Sequence, residues 1–394
     1  MNSNSADRAG GGASPADVLR LIRGGQARTR GDLQRLTGMA RSTVAQRIDA
    51  LTEHGLVVTG QDSVSSGGRP SSTLQFNHQA GLVLAADCGA THTRTAIFDL
   101  GLNVLAEQVS DISIAEGPET VLDWLSEQFT DLLRTSGLQA RRVMAIGVGL
   151  PGPVEHATGT PVAPPIMPGW DGFDVPRYLQ RTFPVPVLVD NDVNLMALGE
   201  AAVAYPHVSP LAFVKVGTGV GCGIVTNGTV FHGAHGAAGD IGHIRAADHH
   251  DVVCWCGNVG CLEAVAGGKA LVADLHDTGV RTNSDVVDRV LAGDAAAVRA
   301  VRNAGREIGG VLAGLVSTLN PAVIVLGGQI AEAGQYLLAG VREAVYARSL
   351  PLGTRDLEIT RSQLADRAGI TGAAIMTTEK LLTADSIDAL IAAR

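Results

Sequence analysis

Apolar residues in the first 78 positions recur at helical spacing in short runs, each closed by glycine. PADVLRLIRGG, from Pro15, puts Val18, Leu19 and Ile22 on one side and stops at Gly24-Gly25, which predicts an amphipathic helix. TRGDLQRLTG follows, with Thr29 as cap, Leu33 and Leu36 facing inward and Gly38 as the end. In ARSTVAQRIDALTEHG the repeat is Val44, Ile48 and Leu51, and Gly55 closes it. A helix followed by two short helices across a glycine-containing turn predicts a helix-turn-helix. LVVTG and STLQF then alternate as two strands joined by QDSVSSGGRPS, so residues 15–78 are expected to form a winged helix-turn-helix. Residues 1–14, MNSNSADRAGGGAS, have no apolar pattern and are expected to be a disordered tail.

Beyond residue 79 the pattern changes to apolar strands that end in glycine or an acid. GLVLAADCGATHTRTAIFDL reads as strand, tight turn from Asp87 through Gly89 to Thr91, and returning strand. Backbone amides and a hydroxyl at such a turn can hold phosphate oxygens, and the acid a metal-bound water. VMAIGVGLPGPV ends a second buried strand in a rigid turn, Gly149-Leu150-Pro151-Gly152-Pro153. Strand Val185–Val189 runs into Asp190-Asn191-Asp192, with a helix starting near Val193. A carboxylate there is placed to act as a base on a bound hydroxyl, but the local pattern favours Asp190 or Asp192 as the helix cap. LAFVKVGTGVGCGIVTNGTV supplies a second phosphate-gripping hairpin at Gly217, Thr218, Gly219 and Gly221. LNPAVIVLGGQI ends at Gly327-Gly328, where a base or ribose can lie close to the backbone. Two such hairpins with an acid between them predict a duplicated α/β body around a central cleft.

Charge separates the two parts. Residues 1–78 hold nine arginines, no lysine and six acids, an excess of three positive charges inside a chain of net charge −9. A basic head on an acidic body is a pattern for a polyanion met by the head alone. Arg41, Ser42 and Thr43 open the third helix, and Gln46 and Arg47 follow one turn later, opposite Val44 and Ile48. Recognition helices present such residues to base edges and phosphates, and Arg69 in Gly67-Gly68-Arg69-Pro70 suits a narrow minor groove. The helices alone also fit a solvated face on a three-helix bundle; the wing shifts the balance to double-stranded DNA.

No apolar run approaches the roughly 20 residues that span a bilayer, and the amino terminus has no secretory pattern. A reducing cytoplasm is therefore expected, and a membrane is not an expected partner. Three of the five cysteines fall within eight positions in CWCGNVGCLEAV, at Cys254, Cys256 and Cys261. A metal knuckle, a redox site and a tight turn with buried thiols all fit the spacing; the compartment favours metal ligands over disulfides. Cys88 and Cys222, inside the two phosphate turns, read as small packing residues.

Together these motifs give residues 79–394 a resemblance to the ROK family of sugar kinases and sugar-responsive repressors. The resemblance implies an actin-like (ribonuclease-H-like) fold with a small lobe of about residues 79–190 plus the C-terminal helix, and a large lobe of about 191–378. It makes Asp87, Gly89, Thr91, Gly217, Thr218, Gly219, Gly221, Gly327 and Gly328 nucleotide and phosphate contacts. It makes Asn191, Asp192, Asp240, His243 and Glu263 the sugar contacts, with Asp192 the general base of the kinases. Asp240 stands where the family has glutamate, and Cys222 where glycine is frequent. The resemblance also adds His243 to the three cysteines as the fourth ligand of a structural zinc, a closed tetrahedral shell.

The N-terminal head resembles the family's repressor branch, the xylose and N-acetylglucosamine regulators. That implies a homodimer, or a dimer of dimers, on a palindromic operator of carbohydrate genes, released by a sugar effector. The competing expectation is an ATP-dependent sugar kinase with Asp192 as base, acting alone or alongside regulation, and only that reading requires ATP and Mg2+.

Overall fold

The computed structural model describes residues 13–60, 73–246, 249 and 251–392. The head consists of α1 (Pro15–Arg23), α2 (Arg30–Thr37), α3 (Arg41–Glu53) and an antiparallel pair, β1 (Val57–Gly60) and β2 (Thr73–Phe76). Ser14 and Thr29 side chains accept from the amides of Asp17 and Asp32, whose carboxylates accept in turn from the Ser14 and Thr29 amides. These reciprocal capping boxes fix where α1 and α2 start, and Gly38, at φ 68°, ends α2 in the left-handed region. Leu19, Ile22, Leu33, Val44, Ile48 and Leu51 are buried together. Leu36, expected inside, is 50% exposed: the eight-residue α2 sends only Leu33 into the core. The expected tail lies outside the described residues as far as residue 12, and so does the hairpin tip 61–72 that carries Arg69.

The first half of the body contains β3 (Leu82–Cys88), β4 (Thr93–Asp99), β5 (Val104–Ser110), α4 (Pro118–Thr135) and β6 (Val143–Leu150). A ribbon of β7 (Val154–Glu155) and β8 (Thr160–Pro161), then α5 (Val175–Leu179) and β9 (Val187–Asn191), complete it. α6 (Asp192–Val203) leads to the second half: β10 (Leu211–Val216), β11 (Val220–Thr226), β12 (Thr229–Val230), α7 (Leu262–Ala266), α8 (Gly268–Asp274), α9 (Asn283–Leu291) and α10 (Ala295–Leu319). β13 (Val323–Gly327), α11 (Gln335–Arg348), α12 (Pro351–Thr354), β14 (Glu358–Arg361), α13 (Ala368–Leu381) and α14 (Ala384–Ala392) follow.

The duplication is explicit in the sheets. One has strand order β5-β4-β3-β6-β9 and the other β12-β11-β10-β13-β14, five strands each. In both, three strands run antiparallel and the next two join in parallel. The mixed α/β body therefore has the doubled layout that the sequence implied. α13 packs on the first sheet, α6 on the second, and the two helices on each other. Their backbones come so close that a Cβ on Gly372 would lie 1.8 Å from the Leu195 carbonyl, and one on Gly199 2.2 Å from that of Ala368.

The head shares a core with the body. Val18, Leu19 and Ile22 belong to the same apolar cluster as Val83, Ala85 and Phe98 of the first sheet and Ile370, Ala373 and Ile387 of α13 and α14. α1 packs directly on α14.

Candidate functional site

Asp87 stands near the carboxyl end of β3, and the Gly89 amide donates to the His92 carbonyl at 2.8 Å to close the turn into β4. Thr91 is exposed beside His92, with Oγ1 3.3 Å from Nδ1. Burial raises the Asp87 carboxyl to about 6, with the neighbouring Asp192 adding to it and Lys215 opposing. Gly149 lies between the two acids: a Cβ on it would sit 3.4 Å from Asp87 Oδ1 and 3.6 Å from Asp192 Cα. Cys88 and Cys222 are buried, and desolvation pushes both thiols up to about 12. They pack as protonated thiols.

The helix cap expected at Asp190 or Asp192 is Asn191. Its Oδ1 accepts from the amides of Val193 at 2.9 Å and Asn194 at 3.3 Å, and its Nδ2 donates to the Gly152 carbonyl at 2.8 Å. An asparagine can satisfy helix amides and a carbonyl at once, which a carboxylate cannot. Both flanking acids are thereby left for other partners, and sequence reasoning missed those partners.

Asp192 is buried, and Lys215 Nζ of β10 donates to its Oδ2 at 2.5 Å. Lys215 pairs in register with Gly221 on one side and Gly327 on the other. Asp190, also buried, has Oδ1 taken by the Asn191 amide and Asn194 Nδ2, while Oδ2 accepts from His232 Nε2 at 2.7 Å. His156 Nδ1 stands 3.5 Å from that same oxygen, and the two imidazoles stack with centroids 3.8 Å apart. His156 follows β7 in the first half and His232 follows β12 in the second, so the stack joins the two halves beside Asn191. Burial works against ionising Asp190, but the bonds from His156 and His232 outweigh it and hold its carboxyl well below the ordinary range. The bond to Asp190 raises His156 in return. A histidine one residue before the Gly233 turn was the only sequence signal for this contact.

The second turn, Gly217 to Gly219, is fixed from behind: the Gly217 and Thr218 carbonyls accept from the amides of Gly268 and Lys269 at the start of α8. Gly221 meets Val193 of α6, and Gly219 faces Glu263, whose Oε2 would lie 2.4 Å from a Cβ there. Glu263 Oε1 lies 3.7 Å from Cys254 Sγ. A row of contacts thus runs from the head of α6 through the second turn to the cysteine cluster. Asp240 is exposed at the end of the glycine-rich loop that precedes His243. Gly327 leaves room for the Phe213 ring, and Gly328 adopts φ +82° over the Val216 carbonyl.

His243, Cys254, Cys256 and Cys261 offer one ligand atom each, all within 4.8 Å of one another. His243 Nδ1 is 3.8 Å from Cys254 Sγ, and Cys256 Sγ is 3.6 Å from Cys261 Sγ. Zinc–thiolate bonds of about 2.3 Å give tetrahedral edges of about 3.8 Å, so the cluster can hold a metal.

On the head, Arg41, Ser42 and Gln46 are exposed along α3, while Thr43 and Arg47 are half-buried. Arg47 Nε is buried without a hydrogen-bond partner. The N-cap of α3 is Ala40, which has no polar side chain to cap with, so the helix's first-turn amides are open to an acceptor.

The sequence profile described as the ROK family matches residues 83–380, and one described as a helix-turn-helix domain matches residues 14–59. A putative xylose repressor of a Caldicellulosiruptor species is 30% identical over 381 residues, covering 93% of this chain and 95% of that protein. A glucokinase of Halalkalibacterium halodurans is 35% identical over 247 residues, covering 58% of this chain and 74% of the enzyme. The crystal structure of a ROK family transcriptional regulator, a homologue of the E. coli MLC protein, superposes with a TM-score of 0.81 at 26% identity, covering 96% of this chain and 98% of that one.

Proposed function

This chain belongs to the ROK family, and from that premise we propose that it is a sugar-responsive, DNA-binding transcriptional repressor of carbohydrate genes. It works in the cytoplasm as a homodimer or dimer of dimers, and two heads related by symmetry read a palindromic operator. Arg41, Ser42, Thr43, Gln46, Arg47 and Arg69 make the DNA contacts. The similarity to a putative xylose repressor and to a ROK family transcriptional regulator, each over more than nine-tenths of the chain, supports this reading.

The effector is a sugar bound in the cleft, its hydroxyls gathered by Asp192, Asp240, His243 and Glu263 beside the Asn191 cap. Zinc on His243, Cys254, Cys256 and Cys261 has a structural role: it fastens the loop bearing Asp240 and His243 to the turn bearing Glu263. Ligand–ligand separations of 3.6 and 3.8 Å support that metal.

The observation that carries the coupling is the shared core between α1 of the head and α13–α14 of the body. α13 also packs against α6, which begins at Asp192. A sugar that shifts α6 therefore shifts the platform on which the head rests, and releases DNA to the extent that it prefers the shifted state. Mobility-shift titration of the protein on its own upstream region, with and without a panel of aldoses and amino sugars, tests the reading.

A magnesium nucleotide fits the residues present less well. Lys215 already donates to one of the two oxygens of Asp192, the acid that a kinase reading needs as an unpaired general base.

A further inference from the structure

We propose that Lys215 is the cleft's resident cation, seated where a kinase would need a divalent ion and a free base, so that the pocket receives sugar without Mg2+-nucleotide. The inference rests on the reading of the body as the sugar-responsive half of the protein.

The lysine stem has a built channel. Its in-register neighbours on β11 and β13 are Gly221 and Gly327, so no side chain flanks it on either strand. Gly217 and Gly328 border it as well: a Cβ on Gly217 would lie 3.5 Å from Lys215 Cε, and one on Gly328 3.0 Å from its Cγ. Gly217 and Gly328, which the sequence pattern assigns to phosphate and nucleotide, therefore border this side chain directly, while Gly221 and Gly327 stand beside it and give their space to Val193 and the Phe213 ring. The channel leads to the first turn of α6, where the ammonium meets Asp192 Oδ2 at 2.5 Å.

The charges around that point define what it accepts. Asp192 is buried, and Asp87 stands across Gly149 from it. The Asp87 carboxylate is also pressed against Gly369 in the first turn of α13, where a Cβ would lie 2.1 Å from Oδ2. Arg94, the other cation acting on Asp87, is committed to Glu107 and Asp366. Mg2+ binds through one or two carboxylates together with substrate phosphates, and Asp87 and Asp192 are the two acids that face each other across Gly149. With an ammonium already on Asp192, a divalent ion there would meet a like charge and find one carboxylate oxygen occupied. A neutral sugar hydroxyl meets no such conflict, since Asp192 Oδ1 can still accept from it.

The test uses the full-length protein and its Lys215→Thr variant. Mn2+ binding is followed by electron paramagnetic resonance after the cysteine cluster has been filled with zinc. ATP binding is followed by calorimetry in Mg2+ and in EDTA, and promoter binding with and without sugar is measured in parallel. Wild type is expected to bind ATP equally in Mg2+ and EDTA and to take up no Mn2+. Lys215→Thr is expected to gain one Mn2+ site and an ATP affinity at least about tenfold higher in Mg2+ than in EDTA. Mg2+-dependent ATP binding by the wild type overturns the proposal, and that arm decides even where the variant does not fold. A variant that keeps its sugar-dependent promoter release yet gains no Mg2+ dependence also overturns it. Failure of the regulator reading would appear separately, as absent promoter binding by the wild type.

Discussion

Arg23 on α1 of the head donates to Glu379 on α13 of the body across 2.6 Å. The side chains are 30% and 59% exposed, so the ion pair contributes at most about 1 kcal/mol to stability. Its position matters more, because it ties the DNA-reading head to the helix that packs on α6. Arg23→Ala is expected to leave the melting temperature nearly unchanged while reducing the difference in operator affinity between sugar-free and sugar-bound protein. A variant whose sugar response matches wild type, measured by mobility shift, removes this pair from the coupling route.

Ile387 of α14 is 1% exposed within the core shared by head and body. Ile387→Ala should destabilise the protein by about 2–5 kcal/mol and make the head more susceptible to proteolysis than the body. Uniform protease resistance with unchanged thermal unfolding would show that the junction does not depend on this contact.

The stack of His156 and His232 over Asp190 carries a pH signature. The Asp190 bond raises His156 above its ordinary 6.5, against burial and the charge of Lys380. A raised histidine stabilises the folded state fully below its unfolded value and loses that contribution as pH climbs through the folded value. The stack is therefore expected to hold below about pH 6.5 and to loosen above it. Asp190, held below its ordinary 3.8, contributes above that value and ceases to do so only as strong acid titrates it. Melting curves of wild type and His156→Gln from about pH 5.5 to 8.5 should differ at the acid end and converge at the alkaline end. A gap that widens toward alkaline pH contradicts the assignment.

Cys256→Ser is expected to lower bound zinc and sugar response together, because the cluster and Glu263 are in contact. Metal content by atomic spectroscopy checks the first, and full occupancy in the variant argues against thiolate ligation.

Arg41→Ala and Arg69→Ala should each weaken operator binding, by about 1–3 kcal/mol where a base edge is read, without altering sugar affinity. Equal operator binding by either variant removes that arginine from the interface.

What the sequence made legible follows from local rules. The head's helices, their glycine stops and the Thr29 cap are written in short windows, and so is the doubled strand–turn–strand layout. The cysteine cluster was also visible, although His243 needed the resemblance to join it. Contacts between distant segments were not legible. Lys215 reads as an alternating strand residue until β10 is set beside α6, and His156 and His232 are 76 positions apart. The cap was misassigned because aspartate and asparagine are comparable caps in isolation; the Gly152 carbonyl, which only asparagine can serve, selects Asn191. Leu36 illustrates the same limit, since helical spacing does not reveal that Leu33 is the one residue α2 buries.

The central claim is that a sugar in the cleft controls the DNA-binding head, and a mobility-shift titration on the upstream region with a sugar panel at fixed low salt tests it most directly. The account predicts binding without sugar and release by one sugar class, with no requirement for ATP or Mg2+. Operator affinity that no sugar changes, or release that appears only when Mg2+-ATP is present, would contradict it.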